Sequence, residues 1–221
     1  MTQHDHEHDH EHEHDHGPAH APIEAADALG RYQLLAEAVR ELLIDKGVIT
    51  AAELRRQIER MDARGPHLGA RMVARAWVDP GYRRRLLADG SAAAEELGVA
   101  VDGTKLVVVE NTPQVHNLIV CTLCSCYPRA ILGLPPDWYK SRDYRARAVH
   151  EPRQVLNEFG TDLPDQVTVR VHDSTADMRY LVLPARPEGT DGWSEQRLAR
   201  LVTRDSMIGV APALDAGEAG D

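Results

Sequence analysis

Apolar residues recur at three- and four-residue intervals from Ile23 to about Arg64, with Leu34, Leu35, Ala38, Val39, Leu42 and Leu43 on one stripe. That period predicts a helix, and Gly47 is a credible stop for it. Thr50-x-x-Glu53 is a capping box that opens a second helix, closed by Gly65-Pro66. Together they make a helical arm over 23–65. Met72, Val73, Ala76 and Trp77 mark a third helix. Asp79-Pro80 supplies the N-cap and first position of a fourth helix, running to Gly90, and a short fifth covers Ala92–Leu97. After Gly103 the period changes. Leu106–Val109 and Leu118–Val120 are continuous apolar runs of buried strands, Gln166–Val171 alternates, and Tyr180–Leu183 follows, with turn chemistry at Asp173-Ser174-Thr175. Helices return at about 141–150, 152–159 and 194–202, with caps at Ser141, Pro152 and Ser194. Leu132–Tyr139, carrying Pro135-Pro136, reads as a rigid apolar loop suited to wall a pocket. The class is α+β.

Composition changes the picture at the N-terminus. In residues 1–22, His at 4, 6, 8, 10, 12, 14, 16 and 20 alternates with acids, a polar tract expected to be disordered and able to chelate divalent metal loosely. That segment holds six acids and no base, so the remainder carries a formal −4 of the chain's −10, an ordinary value that argues against nucleic acid. The large apolar stock is thin, with one Phe, three Trp and six Tyr, which suits a chain that completes its core against a partner. No run approaches the ~20 apolar residues of a membrane span. A secretory signal is absent, so a cytoplasmic location is expected.

All three cysteines stand in Cys121-Thr122-Leu123-Cys124-Ser125-Cys126. Disulfides close long loops, and no loop could be closed here. Three soft sulfurs within reach of one centre describe transition-metal ligands. Structural zinc and iron–sulfur clusters each want a fourth ligand, and His116 could serve only by a bend. A Cys121/Cys124 redox pair is the competing reading, and it leaves Cys126 without a task. If Cys124 and Cys126 bind one ion, the peptide nitrogens of Ser125 and Cys126 lie close to it. A trivalent ion, unlike zinc, could displace their protons, leaving one octahedral position open for a substrate or water.

The stretch Val120-Cys-Thr-Leu-Cys-Ser-Cys-Tyr-Pro128, with Leu132-Gly-Leu-Pro-Pro136-x-Trp-Tyr-Lys140 and Arg186-Pro-x-Gly-Thr190, closely resembles the α subunit of nitrile hydratase and the homologous γ subunit of thiocyanate hydrolase. The likeness runs from about Leu34 to Val210. It implies a layered α-β-β-α catalytic metal-binding domain over 66–211, followed by a C-terminal tail, 212–221. It also implies sulfur ligands Cys121, Cys124 and Cys126, amide-nitrogen ligands from Ser125 and Cys126, and one Co(III) per chain. Thr122 resembles the cobalt-type motif, where iron-type members have Ser. Oxidised cysteines are implied at Cys124 (sulfinate) and Cys126 (sulfenate). Cys126 and Ser125 become the catalytic candidates, for hydration of a nitrile to an amide. The expected partner is a β subunit, in a hetero-tetramer of two subunits of each type or a similar hetero-oligomer, with a maturation chaperone as a further partner. Arg129 replaces the Trp usual in nitrile hydratases, as in thiocyanate hydrolase, and favours an anion or polar nitrile. Asp102 stands near the place of a pocket Gln. Arg129 and Asp102 are therefore candidate substrate-pocket residues. A carrier of cobalt without catalysis is the rival of another class.

Overall fold

The computed structural model describes residues 25–101 and 103–218, so the His-rich tail and Asp102 lie outside the described residues. The chain divides into two compact units, one ending at Arg56 and one running from Gln57 to Asp221. In the first, α1 spans Ala25–Asp45 and ends at Gly47, whose φ of 66° is left-handed. Leu34, Leu35, Val39 and Leu42 are exposed on α1. The division falls inside α2, Ala51–Asp62, whose predicted capping box is formed: Thr50 N donates to Glu53 Oε2 at 2.8 Å and Glu53 N donates to Thr50 Oγ1 at 3.1 Å.

The larger unit opens with α3 (Pro66–Val78), α4 (Pro80–Ala88) and α5 (Gly90–Glu96). Asp79 accepts from Gly81 N at 2.8 Å and Tyr82 N at 3.0 Å, which satisfies orphan donors of α4. At Gly90 a Cβ would stand 2.7 Å from the Leu106 carbonyl oxygen, so the absence of a side chain lets α5 lie directly on the next strand.

Four strands follow in sequence order: β1 Lys105–Glu110, β2 Val115–Val120, β3 Thr168–Asp173 and β4 Met178–Leu183. The strands joined by short connections, β1 to β2 and β3 to β4, do not pair with each other. β1 pairs in parallel with β4, Lys105 against Met178, and β2 pairs in parallel with β3, Val115 against Thr168 and Val120 against Asp173. Each short connection leads from one two-stranded sheet into the other. α4 and α5 pack on β1, while α8 (Arg142–His150) and α9 (Pro152–Glu158) pack on β2 and β3, and β2 touches β4. This is the expected α-β-β-α layering. Leu118, Ile119, Val120, Leu181, Val182 and Leu183 are buried between the layers, each contributing about 1.5–3 kcal/mol.

Two local readings change. The segment 132–139 is not simply a loop: α6 (Arg129–Leu132) ends at Gly133 and α7 (Asp137–Lys140) follows Pro136. Burial of aromatic rings orders it, with Trp138 edge-on to Tyr144 at 4.9 Å and to Phe159 at 4.7 Å. Trp138 is thus a core residue, while Trp77 bonds Pro184 O through its indole nitrogen at 2.9 Å. The helix expected at 194–202 shortens to α10 (Glu195–Ala199), and a further helix beyond it, α11 (Arg204–Ile208), is opened by a capping box of Thr203 and Ser206.

Candidate metal centre

β2 is buried along its last five residues and delivers Cys121 at its end, 1% exposed. The chain then turns outward. Thr122, Leu123 and Cys124 are exposed, and Ser125 and Cys126 are half-buried. The turn folds back on itself: Cys124 N donates to Cys121 Sγ at 3.3 Å, and Sγ of Cys124 lies 3.4 Å from that of Cys121 and 3.1 Å from that of Cys126. All three sulfurs fall within 4.8 Å of one another.

The surrounding elements hold this turn by its backbone. Parallel pairing sets Asp173, the last residue of β3, beside Val120, and its carboxylate accepts from Thr122 N at 2.9 Å and from Thr122 Oγ1 at 2.5 Å. Tyr139 on α7 donates to the Cys126 carbonyl at 2.9 Å. Tyr144 on α8 donates to Ile119 O at 2.6 Å, and Arg145 beside it donates to the Cys124 carbonyl. Asp173, Tyr139, Tyr144 and Arg145 carried no functional signal in the sequence, although Tyr139 stood inside a motif shared with the resembled family.

The sulfurs are electronically unequal. The hydrogen bond from Cys126, helped by the Ser125 amide, holds the Cys124 thiol down at about 7. Burial, then the bond to Cys124, pushes the Cys126 thiol up to about 12, with the Arg179 guanidinium acting in the opposite sense.

The spacing tests the metal reading. With a metal–sulfur bond of about 2.3 Å, sulfurs at right angles stand about 3.3 Å apart and at the tetrahedral angle about 3.8 Å apart. The observed 3.4 and 3.1 Å, for two of the three sulfur pairs, are close to the right-angle value. Those two contacts suit an octahedral ion, and the third pair lies within 4.8 Å. His116 does not join the set: its Nε2 bonds Gly209 O at 2.7 Å and its Nδ1 faces Asn111 at 3.4 Å. His172 likewise has a structural partner, Asn117 Oδ1 at 2.8 Å, and His150 is exposed.

Arg129, at the start of α6, lines a cleft of about 180 Å³ together with Arg64, Arg179, Tyr127 and Thr104. Two of its lining residues, Tyr127 and Pro128, directly follow Cys126, so the cleft adjoins the cysteine turn. No helix among the described residues is long and apolar enough to cross a membrane.

Comparison with known proteins bears on this geometry. The family profile "Nitrile hydratase, alpha chain" matches residues 31–211. A cobalt-containing nitrile hydratase subunit alpha of Pseudonocardia thermophila is 52% identical over 180 residues, covering 80% of this chain and 88% of the relative. Thiocyanate hydrolase subunit gamma of Thiobacillus thioparus is 47% identical over 202 residues, covering 86% and 83%. Among solved structures, a recombinant thiocyanate hydrolase comprising partially modified cobalt centres superposes with a TM-score of 0.78 at 45% identity, covering 84% of this chain and 91% of that one.

Proposed function

The chain belongs to the nitrile hydratase α-chain family, and on that premise we propose that it is the cobalt-holding subunit of an enzyme that hydrates a nitrile to the amide. The observation that carries this reading is a trio of sulfurs within 4.8 Å of one another, two of the pairs at 3.4 and 3.1 Å, on a turn whose backbone is held from three sides. Cys121, Cys124 and Cys126 would supply sulfur, and the backbone nitrogens of Ser125 and Cys126 would complete five donors to one Co(III) per chain. When bound, that ion supplies Lewis acidity at the nitrile.

The chain's own residues do the remaining work. Cys124 as sulfinate and Cys126 as sulfenate are rungs of the thiol oxidation ladder, and Cys126 holds the attacking oxygen or orients the water that supplies it. Asp173, Tyr139 and Arg145 keep the turn in one conformation, so little reorganisation is needed as substrate arrives. Oxygens added to exposed Cys124 need cationic partners, which a β-type subunit would bring. The exposed Leu34, Leu35, Val39 and Leu42 of α1 suit burial against such a subunit. The proposed assembly is a cytoplasmic hetero-oligomer with two subunits of each type or similar.

A second reading, the γ-type subunit of a thiocyanate hydrolase, is favoured by one observation: three arginines, Arg64, Arg129 and Arg179, line the cleft beside the cysteine turn. Guanidinium groups suit an anion. The co-expressed complex decides. Peptide mass spectrometry should find two oxygens on Cys124 and one on Cys126, and acrylonitrile should be hydrated. Thiocyanate hydrolysis without nitrile turnover would establish the second reading instead. Unoxidised cysteines with cobalt freely lost to a chelator would mark a carrier.

A further inference from the structure

We propose that Arg145 is a positioning residue for the metal centre: its guanidinium, on the carbonyl oxygen of Cys124, orients the Cys124–Ser125 peptide and draws charge from the Ser125 nitrogen. This rests on the ligand set proposed above, in which Ser125 N is a donor.

The geometry singles out one peptide. Ser141 caps α8 by accepting from Tyr144 N at 3.1 Å, and Tyr144 anchors that helix to Ile119 O at 2.6 Å. The packed rings of Trp138, Tyr144 and Phe159 hold it further. One residue along, Arg145 reaches through Nη1 to the Cys124 carbonyl. Helix α8 thereby grips the chain on both sides of Cys121. Tyr139 makes a similar contact at the Cys126 carbonyl. That oxygen belongs to the Cys126–Tyr127 peptide, whose nitrogen is no proposed donor, and Tyr139 is neutral. At Cys124 a full cation meets the oxygen of a peptide that would ligate.

Peptide resonance couples that oxygen to that nitrogen. A nitrogen that gives up its proton to a metal shifts negative charge onto the oxygen, where a charge-assisted hydrogen bond is strongest. Charge balance points the same way. Among the described residues no carboxylate pairs with Arg145, and its Nε is buried without a hydrogen-bond partner. Arg147, two residues on, is instead surrounded by Asp143, Glu151 and Glu158. Three anionic sulfur ligands (thiolate, sulfinate and sulfenate) and two deprotonated amides carry more negative charge than a trivalent ion cancels, so the loaded turn is the anion that Arg145 lacks.

The test uses the cobalt-loaded complex of the chain with its partner subunit, comparing wild type with Arg145→Met and Arg145→Lys. Cobalt retained against a chelator is followed over time, and thermal unfolding reports the fold. Arg145→Met should release cobalt about 10- to 100-fold faster, the range a charged hydrogen bond spans. Arg145→Lys should restore part of the retention without raising the unfolding temperature above that of Arg145→Met. Retention in Arg145→Met equal to wild type overturns the role. If Arg145→Met does not assemble, Arg145→Gln keeps a donor and drops the charge, and wild-type retention there overturns it equally. A wild-type complex that yields its cobalt to the chelator at once removes the ligand reading and this role with it. Inert cobalt in wild type and variants alike removes this role alone.

Discussion

Replacing Tyr139 with Phe isolates one hydrogen bond beneath the cysteine turn. Tyr139 is fully buried, and its hydroxyl donates to the Cys126 carbonyl at 2.9 Å. Burial, reinforced by the nearby Cys121, raises its pKa well above the ordinary phenol value, so it stays a neutral donor at any working pH. Tyr139→Phe keeps the ring and its contacts with Tyr127 at 5.0 Å and Tyr144 at 5.6 Å. What is lost is the bond alone, and stranding its acceptor costs about 1–2 kcal/mol. For a domain of this size each kcal/mol lowers the unfolding midpoint by about 2–4 °C. The assay is thermal unfolding of the assembled complex, paired with the rate at which cobalt is lost to a chelator. Tyr144→Phe serves as the comparison, because it breaks a bond of 2.6 Å to Ile119 O, upstream of Cys121. Both variants should melt lower, and Tyr139→Phe should lose cobalt faster than Tyr144→Phe. If Tyr139→Phe melts with wild type, or if Tyr144→Phe loosens the metal as much, the idea that Tyr139 secures the turn is wrong.

Two further outcomes follow from the packing. Gly209 closes α11 with φ of 91°, and a Cβ there would overlap the Asn117 carbonyl oxygen on β2, whereas Gly160 has φ of 81° and open space around it. Gly160→Ala should therefore cost only the left-handed strain of about 1–2 kcal/mol, while Gly209→Ala should cost clearly more in denaturant unfolding; equal losses would contradict the close approach. His116 and His172 are both held below the ordinary histidine value, chiefly by burial. The unfolded chain then binds protons that the folded chain refuses, so stability should be intact above about pH 6.5 and fall as pH drops below it. Unfolding midpoints that stay level between about pH 7 and pH 5 would show that neither ring is protected.

Much of the helical scaffold was legible because its signals are local. Asp79-Pro80, Thr50-x-x-Glu53 and Ser141 each announce a helix start through backbone donors that a nearby side chain satisfies. α7 and α11 escaped because four or five residues are too few to show a helical period, and their order comes from buried rings and a cap. The metal trio was legible from spacing alone, since C-x-x-C-x-C forces three sulfurs together wherever the chain turns. Its supports were not. Arg145 looks like any arginine on a charged helix, and Asp173 like turn chemistry after a strand.

What gives Asp173 its place is long-range pairing. Short connections at 111–114 and 174–177 would suit hairpins, and hairpins would have set β3 beside β4. The observed burial of β2 on both faces instead matches a parallel strand covered by helix on one side and sheet on the other. Parallel strands end together, so pairing β2 with β3 brings their C-terminal ends to one edge, Cys121 leaving one strand and Ser174 the other. Ser174 N donates to Val120 O at 2.8 Å, which closes the ladder at its last rung. The carboxylate of Asp173 is then within reach of Thr122, and the turn that carries the sulfurs is tied to a residue 51 positions away. An antiparallel partner would have put the opposite end of its strand there.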